Sequence, residues 1–123
     1  MILSPSRKSF GDRVEKQAER WLSKQGLTLL NRNYSCRWGE IDIIMEDRTY
    51  LVFIEVRYRK QSLYGSPAET VTRQKQQKIR LTAEHFLLSH SQHHRKNCRF
   101  DVIAAQPGSS SDKLDLNWIR NAF

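Results

Sequence analysis

Two acidic residues stand inside apolar runs, where acids are scarce. Asp42 interrupts Ile41-Asp42-Ile43-Ile44, and Glu55 interrupts Leu51-Val52-Phe53-Ile54-Glu55-Val56. Strand interiors are depleted in Asp and Glu, and a carboxylate on a covered sheet must be paired or hold a cation. The two positions are equally far from the boundary between Arg48 and Thr49. An antiparallel hairpin closed there sets them opposite each other, with Cβ atoms about 5 Å apart. Like charges in that register repel unless a cation lies between them. Oxygen ligands with open coordination positions suit Mg2+ or Mn2+, which makes Asp42 and Glu55 the candidate metal ligands. Arg57, two residues after Glu55, shares its face by strand alternation and could hold a phosphate or charge developing in phosphoryl transfer. Glu15 could supply a further oxygen, with Glu19 one turn on as its rival. The competing reading is that each acid pairs with an arginine on an exposed sheet face, with no metal at all.

The elements that must position these residues follow from periodicity. Residues 1–9 read as a mobile arm containing Pro5 and several serines, leaving 10–123 as one domain. Phe10, Val14, Ala18, Trp21 and Leu22 recur at helical spacing over Phe10–Gln25, and Gly26 stands where a helix-ending glycine belongs. Leu27–Cys36 reads as a strand. Glu40–Met45 and Tyr50–Tyr58, divided by the polar Asp47-Arg48-Thr49, read as a hairpin. Residues 60–70, with Gly65 and Pro67, form a connecting loop. Thr70–Ser89 carries Val71, Ile79, Ala83, Phe86 and Leu87 near one helical stripe, with Arg73, Lys75, Lys78 and Arg80 on the others. Arg99–Ala105 is a fourth strand, residues 107–113 are a turn, and Leu114–Phe123 is a short strand ending in a helical turn. The order is helix, three strands, helix, strand and a mixed tail, an α/β class with helices packed on a mixed sheet.

Composition narrows the function classes. The chain has 123 residues, enough for one domain. No apolar stretch approaches the roughly 20 residues of a membrane span, and the N-terminus lacks an apolar core of signal-peptide length, so a cytoplasmic protein without membrane contact is expected. Cys36 and Cys98 are far apart, without a CxxC pair, and read as ordinary thiols. Lys plus Arg number 21 against 13 for Asp plus Glu, a net charge of +8. Such an excess attracts polyanions, nucleic acid foremost. Arg57, Arg59, Lys60, Arg73, Lys75 and Lys78 follow the acidic site and suit a phosphate-backbone track, although a solvated helix face explains the helical ones equally well.

Other chemistry is weaker. His90, His93 and His94 cluster, but lack an acid or cysteine at ligand spacing, and read as a solvated loop. His85 reads as a helix-surface or partly buried residue. Trp21 reads as core and Trp118 as a tail anchor. Trp38 could stack on a base, although packing at a hairpin edge is the commoner use. Ser35, Ser62 and Ser66 have no base at motif spacing.

The run Gly39-Glu40-Ile41-Asp42-Ile43-Ile44 followed by Phe53-Ile54-Glu55-Val56-Arg57-Tyr58-Arg59 resembles the YraN-like family of small uncharacterised bacterial proteins. So do Glu15-x-x-Ala18 with Trp21-Leu22, Arg32-Asn33, Lys75, Arg99-Phe100-Asp101-Val102 and the closing Ala122-Phe123. The resemblance covers nearly the whole chain and looks closest to proteobacterial members. That family is similar in fold to archaeal Holliday-junction resolvases and restriction endonucleases, the PD-(D/E)XK nuclease superfamily. The resemblance implies a restriction-endonuclease-like fold, helix–three strands–helix–strand with a mixed central sheet. It implies a site of Glu15, Asp42, Glu55 and Arg57, with phosphodiester hydrolysis assisted by Mg2+. Arg57 departs from the superfamily's lysine, and Arg does not exchange a proton. Lys60 or Lys75 substitutes for it only if the fold brings one near.

Three functions follow as expectations. The first is a metal-dependent endonuclease acting on DNA rather than RNA, including branched or structured DNA; dimeric superfamily members suggest a homodimer by analogy. The second is a non-catalytic nucleic-acid-binding module that keeps the nuclease fold. The third is a protein-interaction scaffold with no polyanion partner.

Overall fold

The computed structural model describes residues 7–60, 71–110 and 113–123. Helix α1 (Arg7–Lys24) leads into strands β1 (Thr28–Cys36), β2 (Gly39–Asp47) and β3 (Tyr50–Tyr58). Helix α2 (Arg73–Ser89), a short 3-10 turn at Ser91–His93, β4 (Asn97–Pro107) and β5 (Leu114–Ile119) complete the order. The chain is thus α/β, as expected. Helix α1 begins at Arg7 rather than Phe10, so residues 7–9 belong to the helix and not to an arm. Nothing in Arg7-Lys8-Ser9 opposes a helix, but the periodic signal starts with the first apolar residue. Residues 1–6, and the loop expected around Gly65 and Pro67 with Ser62 and Ser66, lie outside the described residues.

Each element ends for a local reason. Gly26 takes φ 105, a left-handed value that glycine adopts without strain, and closes α1, while Leu27 N–H bonds Leu22 O at 3.2 Å. Thr72 caps α2, its hydroxyl accepting from the Lys75 backbone N–H at 3.2 Å. The expected hairpin closes at Arg48, φ 56, with Asp47 opposite Tyr50.

The sheet runs β1-β2-β3-β4-β5. The first three strands form an antiparallel meander, β3 and β4 are parallel across the α2 connection, and β5 returns antiparallel. The tail is therefore a full fifth strand followed by a turn. Alternation sorts the apolar residues into two layers. Ile44, Leu51, Phe53 and Val102 pack with Ile79, Ala83 and Phe86 of α2. Ile43, Met45, Val52, Ile54 and Ile103 pack with Ala18 and Leu22 of α1. The C-terminus is fixed on the α2 side: Ala122 N–H bonds Phe100 O at 2.7 Å, and the Phe123 ring stacks on Phe100 at 5.3 Å.

One place breaks the alternation. Ile41 lies with Ile44 in the α2 layer, whereas strict alternation would put it with Ile43. The break falls at Asp42. Between the β1–β2 pairs Arg32↔Ile43 and Tyr34↔Ile41 stands Asn33, at φ 49. Asn is one of the few non-glycine residues at home there.

Candidate active site

The β2–β3 ladder runs from Asp47↔Tyr50 to Ile43↔Ile54 and stops. The register is the one read from the sequence, but the rung that would join Asp42 to Glu55 is not made. Instead the Asp42 carboxylate accepts the Val56 backbone N–H at 2.8 Å. Strand β3 stays paired with β4 here, Glu55 opposite Val102 and Arg57 opposite Ala104. The hairpin thus opens at its acidic end, with a side chain occupying the space of a backbone rung.

Glu55 is buried, its side chain 7% exposed, and Lys75 Nζ meets its Oε1 at 2.8 Å. Lys75 is the third residue of α2, held by the Thr72 cap. It answers the question left by Arg57: the fold brings a lysine to the acids from another element. Lys75, expected on a phosphate track, is also an ion-pair partner of Glu55.

Glu15 reaches the same region from α1. The Asn33 amide, oriented with its nitrogen toward the acids, donates to Glu15 Oε1 at 2.9 Å and to Glu40 Oε1 at 3.1 Å. The left-handed backbone at Asn33 and the break at Asp42 therefore serve one arrangement. Glu19, the rival to Glu15, lines the same cleft as Glu15 but is engaged by a cation: Arg32 holds it through Nε, and Arg32 Nη2 bonds Glu19 Oε2 at 2.8 Å. That bond holds the Glu19 carboxyl below its usual range. That cleft, of about 620 Å³, opens over the α1 side, its lining including Glu15, Asn33, Glu40 and Asp42 together with the Glu19–Arg32 pair. Glu55 and Lys75 do not line it.

The electrostatics of the cluster are unbalanced. Burial pushes the Asp42 carboxyl up to about 8; the Glu55 and Glu15 charges add to that, and the Val56 N–H and Lys75 do not offset it. Burial likewise raises Glu15 to about 7, reinforced by Asp12, Glu40 and Glu55. Asp42 is influenced by Glu15 from the α1 layer and by Lys75 from the α2 layer. Carboxylates held this way take up either a proton or a divalent cation. Among the described residues no three His, Cys, Asp or Glu side chains converge with ligating geometry. Two carboxylates nevertheless suffice for Mg2+, which keeps several waters and takes its other oxygens from substrate phosphate.

The remaining candidates are dispersed. Arg57 is half-buried on β3, and Arg59 donates its backbone N–H to Ala105 O at 2.9 Å. Lys60, Arg73 and Lys78 are exposed. The histidines are not a simple solvated loop: His90 stacks on Phe86 at 4.0 Å and His93 stacks on it at 6.1 Å, because the chain turns back over the end of α2. His85 Nδ1 meets the Tyr34 hydroxyl at 2.5 Å. Cys36 and Cys98 are free thiols. Sequence reasoning missed Asn33 and Glu40 as site residues. The available signal was an Asn inside a strand, preceding a turn that leads straight to Asp42.

No helix of the described residues is long and apolar enough to cross a membrane. A model of the uncharacterised protein family UPF0102 matches residues 14–105, a span that contains Glu15, Asn33, Asp42, Glu55 and Lys75. A UPF0102 protein of Alcanivorax borkumensis is 46% identical over 123 residues, covering 100% of this chain and 98% of its own. One of Saccharophagus degradans is 50% identical over 113 residues, covering 92% and 91%. One of Aeromonas hydrophila is 49% identical over 122 residues, covering 98% and 89%. The family model covers most of the chain and the relatives nearly all of it, and the chain belongs to the uncharacterised family UPF0102.

Proposed function

We propose that this protein is a metal-dependent endonuclease that hydrolyses phosphodiesters in DNA, with a restriction-endonuclease-like fold. The order of α1, the β1–β2–β3 meander, α2 and parallel β4 supports that fold. The observation that carries the function is the cluster in which the charges of Asp42, Glu55 and Glu15 act on one another, with Lys75 bonded to Glu55 and Asp42 raised to about 8. Asp42 and Glu55 would hold Mg2+ or Mn2+. When bound, such an ion supplies Lewis-acid stabilisation of phosphate charge and a more acidic water.

The protein's own groups have distinct tasks in this reading. A water oxygen bonds to phosphorus, the bond from phosphorus to the leaving sugar oxygen breaks, and that oxygen takes a proton from solvent water. Glu15 accepts the proton of the attacking water, since a group with proton affinity near neutrality suits that role. Lys75 offsets the charge that grows on the phosphoryl oxygens. Arg57, always protonated, holds phosphate and carries no proton. Arg59, Lys60, Arg73 and Lys78 track the backbone. Helix α2 supports this: it has no acid in its first turn but carries Arg73 and Lys75 there, cations at the positive end of a helix, an arrangement that a bound phosphate relieves.

The test is incubation of purified protein with branched, single-stranded and duplex DNA in Mg2+ or Mn2+. Cleavage by the wild type and none by Asp42→Asn is expected. Equal cleavage by both, or none by the wild type, overturns the reading. A second reading, a non-catalytic nucleic-acid-binding module, is favoured by the Lys75–Glu55 pair itself, which neutralises Glu55 without a metal. It expects steeply salt-dependent binding that survives Asp42→Asn, and no cleavage.

A further inference from the structure

Trp38 differs from the other tryptophans. Trp21 and Trp118 meet edge-to-face at 5.9 Å, and Trp118 Nε1 donates to the buried Asp101 at 2.8 Å. Both have structural work. Trp38 is 41% exposed at the tip of the β1–β2 turn, and its ring contact among the described residues is the Arg37 guanidinium, 4.5 Å from the ring centre. An exposed indole beside a cation is a surface that accepts a flat π-system and its attached phosphate.

The turn is anchored close to the acidic cluster. Gly39, next to Trp38, lies so near α2 that a Cβ there would stand 3.4 Å from Thr82 Oγ1 and 3.7 Å from Lys78 Cβ. Thr82 is fully buried and its hydroxyl donates to Lys78 O at 2.8 Å, which makes this a firm seat. Lys78 and Lys75 are three residues apart on one helix face, about one turn. Lys75 then reaches Glu55. The turn that carries the indole, the two lysines and the buried acid are therefore linked as a line of neighbours through α2.

We infer that Trp38 is a stacking platform for an unpaired base, and that the substrate of the adjoining site carries a single-stranded segment whose phosphates cross Lys78 and Lys75. The inference rests on the nuclease reading for the purpose of the line, while its own content is binding. Inside a duplex both faces of a base are already covered by its neighbours, so an exposed indole discriminates in favour of strands, flaps and junction openings.

The test measures fluorescence anisotropy of a labelled oligo-dA strand and of a blunt duplex, in EDTA, with wild type, Trp38→Ala and Trp38→Phe. Trp38→Ala should lose roughly five- to a hundredfold in affinity for the strand. Trp38→Phe should stay within a few-fold of wild type, and duplex affinity should hardly move. Thermal melting of both variants should match wild type, since the side chain is exposed. Wild-type strand binding by Trp38→Ala overturns the inference, as does equal loss for strand and duplex. Parallel cleavage in Mn2+ separates the two readings. Trp38-dependent strand binding without cleavage overturns the nuclease reading alone; wild-type cleavage of strands by Trp38→Ala overturns this inference alone. Failure of the wild type to bind the strand overturns this inference, and failure to cleave in Mn2+ as well overturns both.

Discussion

Asp101 and Asp42 are both acids inside strands of the same sheet, and they live in opposite circumstances. Asp101 is fully buried and surrounded by donors: Arg99 Nε spans its two oxygens at 3.1 and 3.2 Å, Trp118 Nε1 donates at 2.8 Å, and the Asn121 N–H at 2.9 Å. Arg99 is held in turn by Asp47 at 3.0 Å. Asp42 accepts one hydrogen bond among the described residues, from Val56, and faces other carboxylates. An acid in an apolar run is therefore not yet a functional signal. What separates a strut from a site is whether the fold supplies donors enough for the charge.

That contrast can be broken by experiment. The largest expected effect is at the strut: Asp101→Ala leaves the Arg99 guanidinium, an indole N–H and a backbone N–H without their acceptor. It should cost about 3–5 kcal/mol of stability in urea unfolding. Next comes Asp42→Asn, which keeps an oxygen for Val56 and should lower DNA cleavage at least about a hundredfold with no loss of melting temperature. If this variant unfolds as readily as Asp101→Ala, Asp42 is a strut too and the contrast fails. Third, Mn2+ at a hundred times its dissociation constant should stabilise wild type by about 2–3 kcal/mol and leave Asp42→Asn unmoved, read by calorimetry.

The smallest effect is on pH dependence. The unfolded chain releases the Asp42 proton near 3.8 and the folded one near 8; Glu15 follows from 4.5 to about 7. Between those limits the folded state binds more protons, so these two groups make stability fall as pH rises across the window. Asp42→Asn should flatten that slope, so that its advantage over wild type is absent at the acid end of the window and grows as pH rises across it. A gain that is largest in acid contradicts the sign.

Much of this was legible in the residues. The turn at Arg48-Thr49 follows from two β-rich runs divided by polar residues, and the hairpin register follows from the turn. The register that leads toward Asp42 and Glu55 was legible, but not how the strands part there. Counting from a turn assumes that every rung forms, and here a carboxylate displaces one. Lys75 was unreadable as an ion-pair partner of Glu55, because it lies twenty residues further on, in an element of another type. Ile41 was misleading, since period-two alternation assigns it to the wrong layer. Asp101 entered as part of a motif alone, because Trp118 and Asn121, which explain it, come from a tail whose fifth strand showed little periodicity.

The bond from Val56 to Asp42 gives the molecule a reporter of its own. An amide held by a neighbouring backbone carbonyl exchanges its hydrogen according to how often the sheet opens. The Val56 amide instead depends on the charge carried by one side-chain oxygen. Its exchange rate becomes a gauge of whether that oxygen is bare, protonated or shared with a cation, readable at one backbone position without label or substrate.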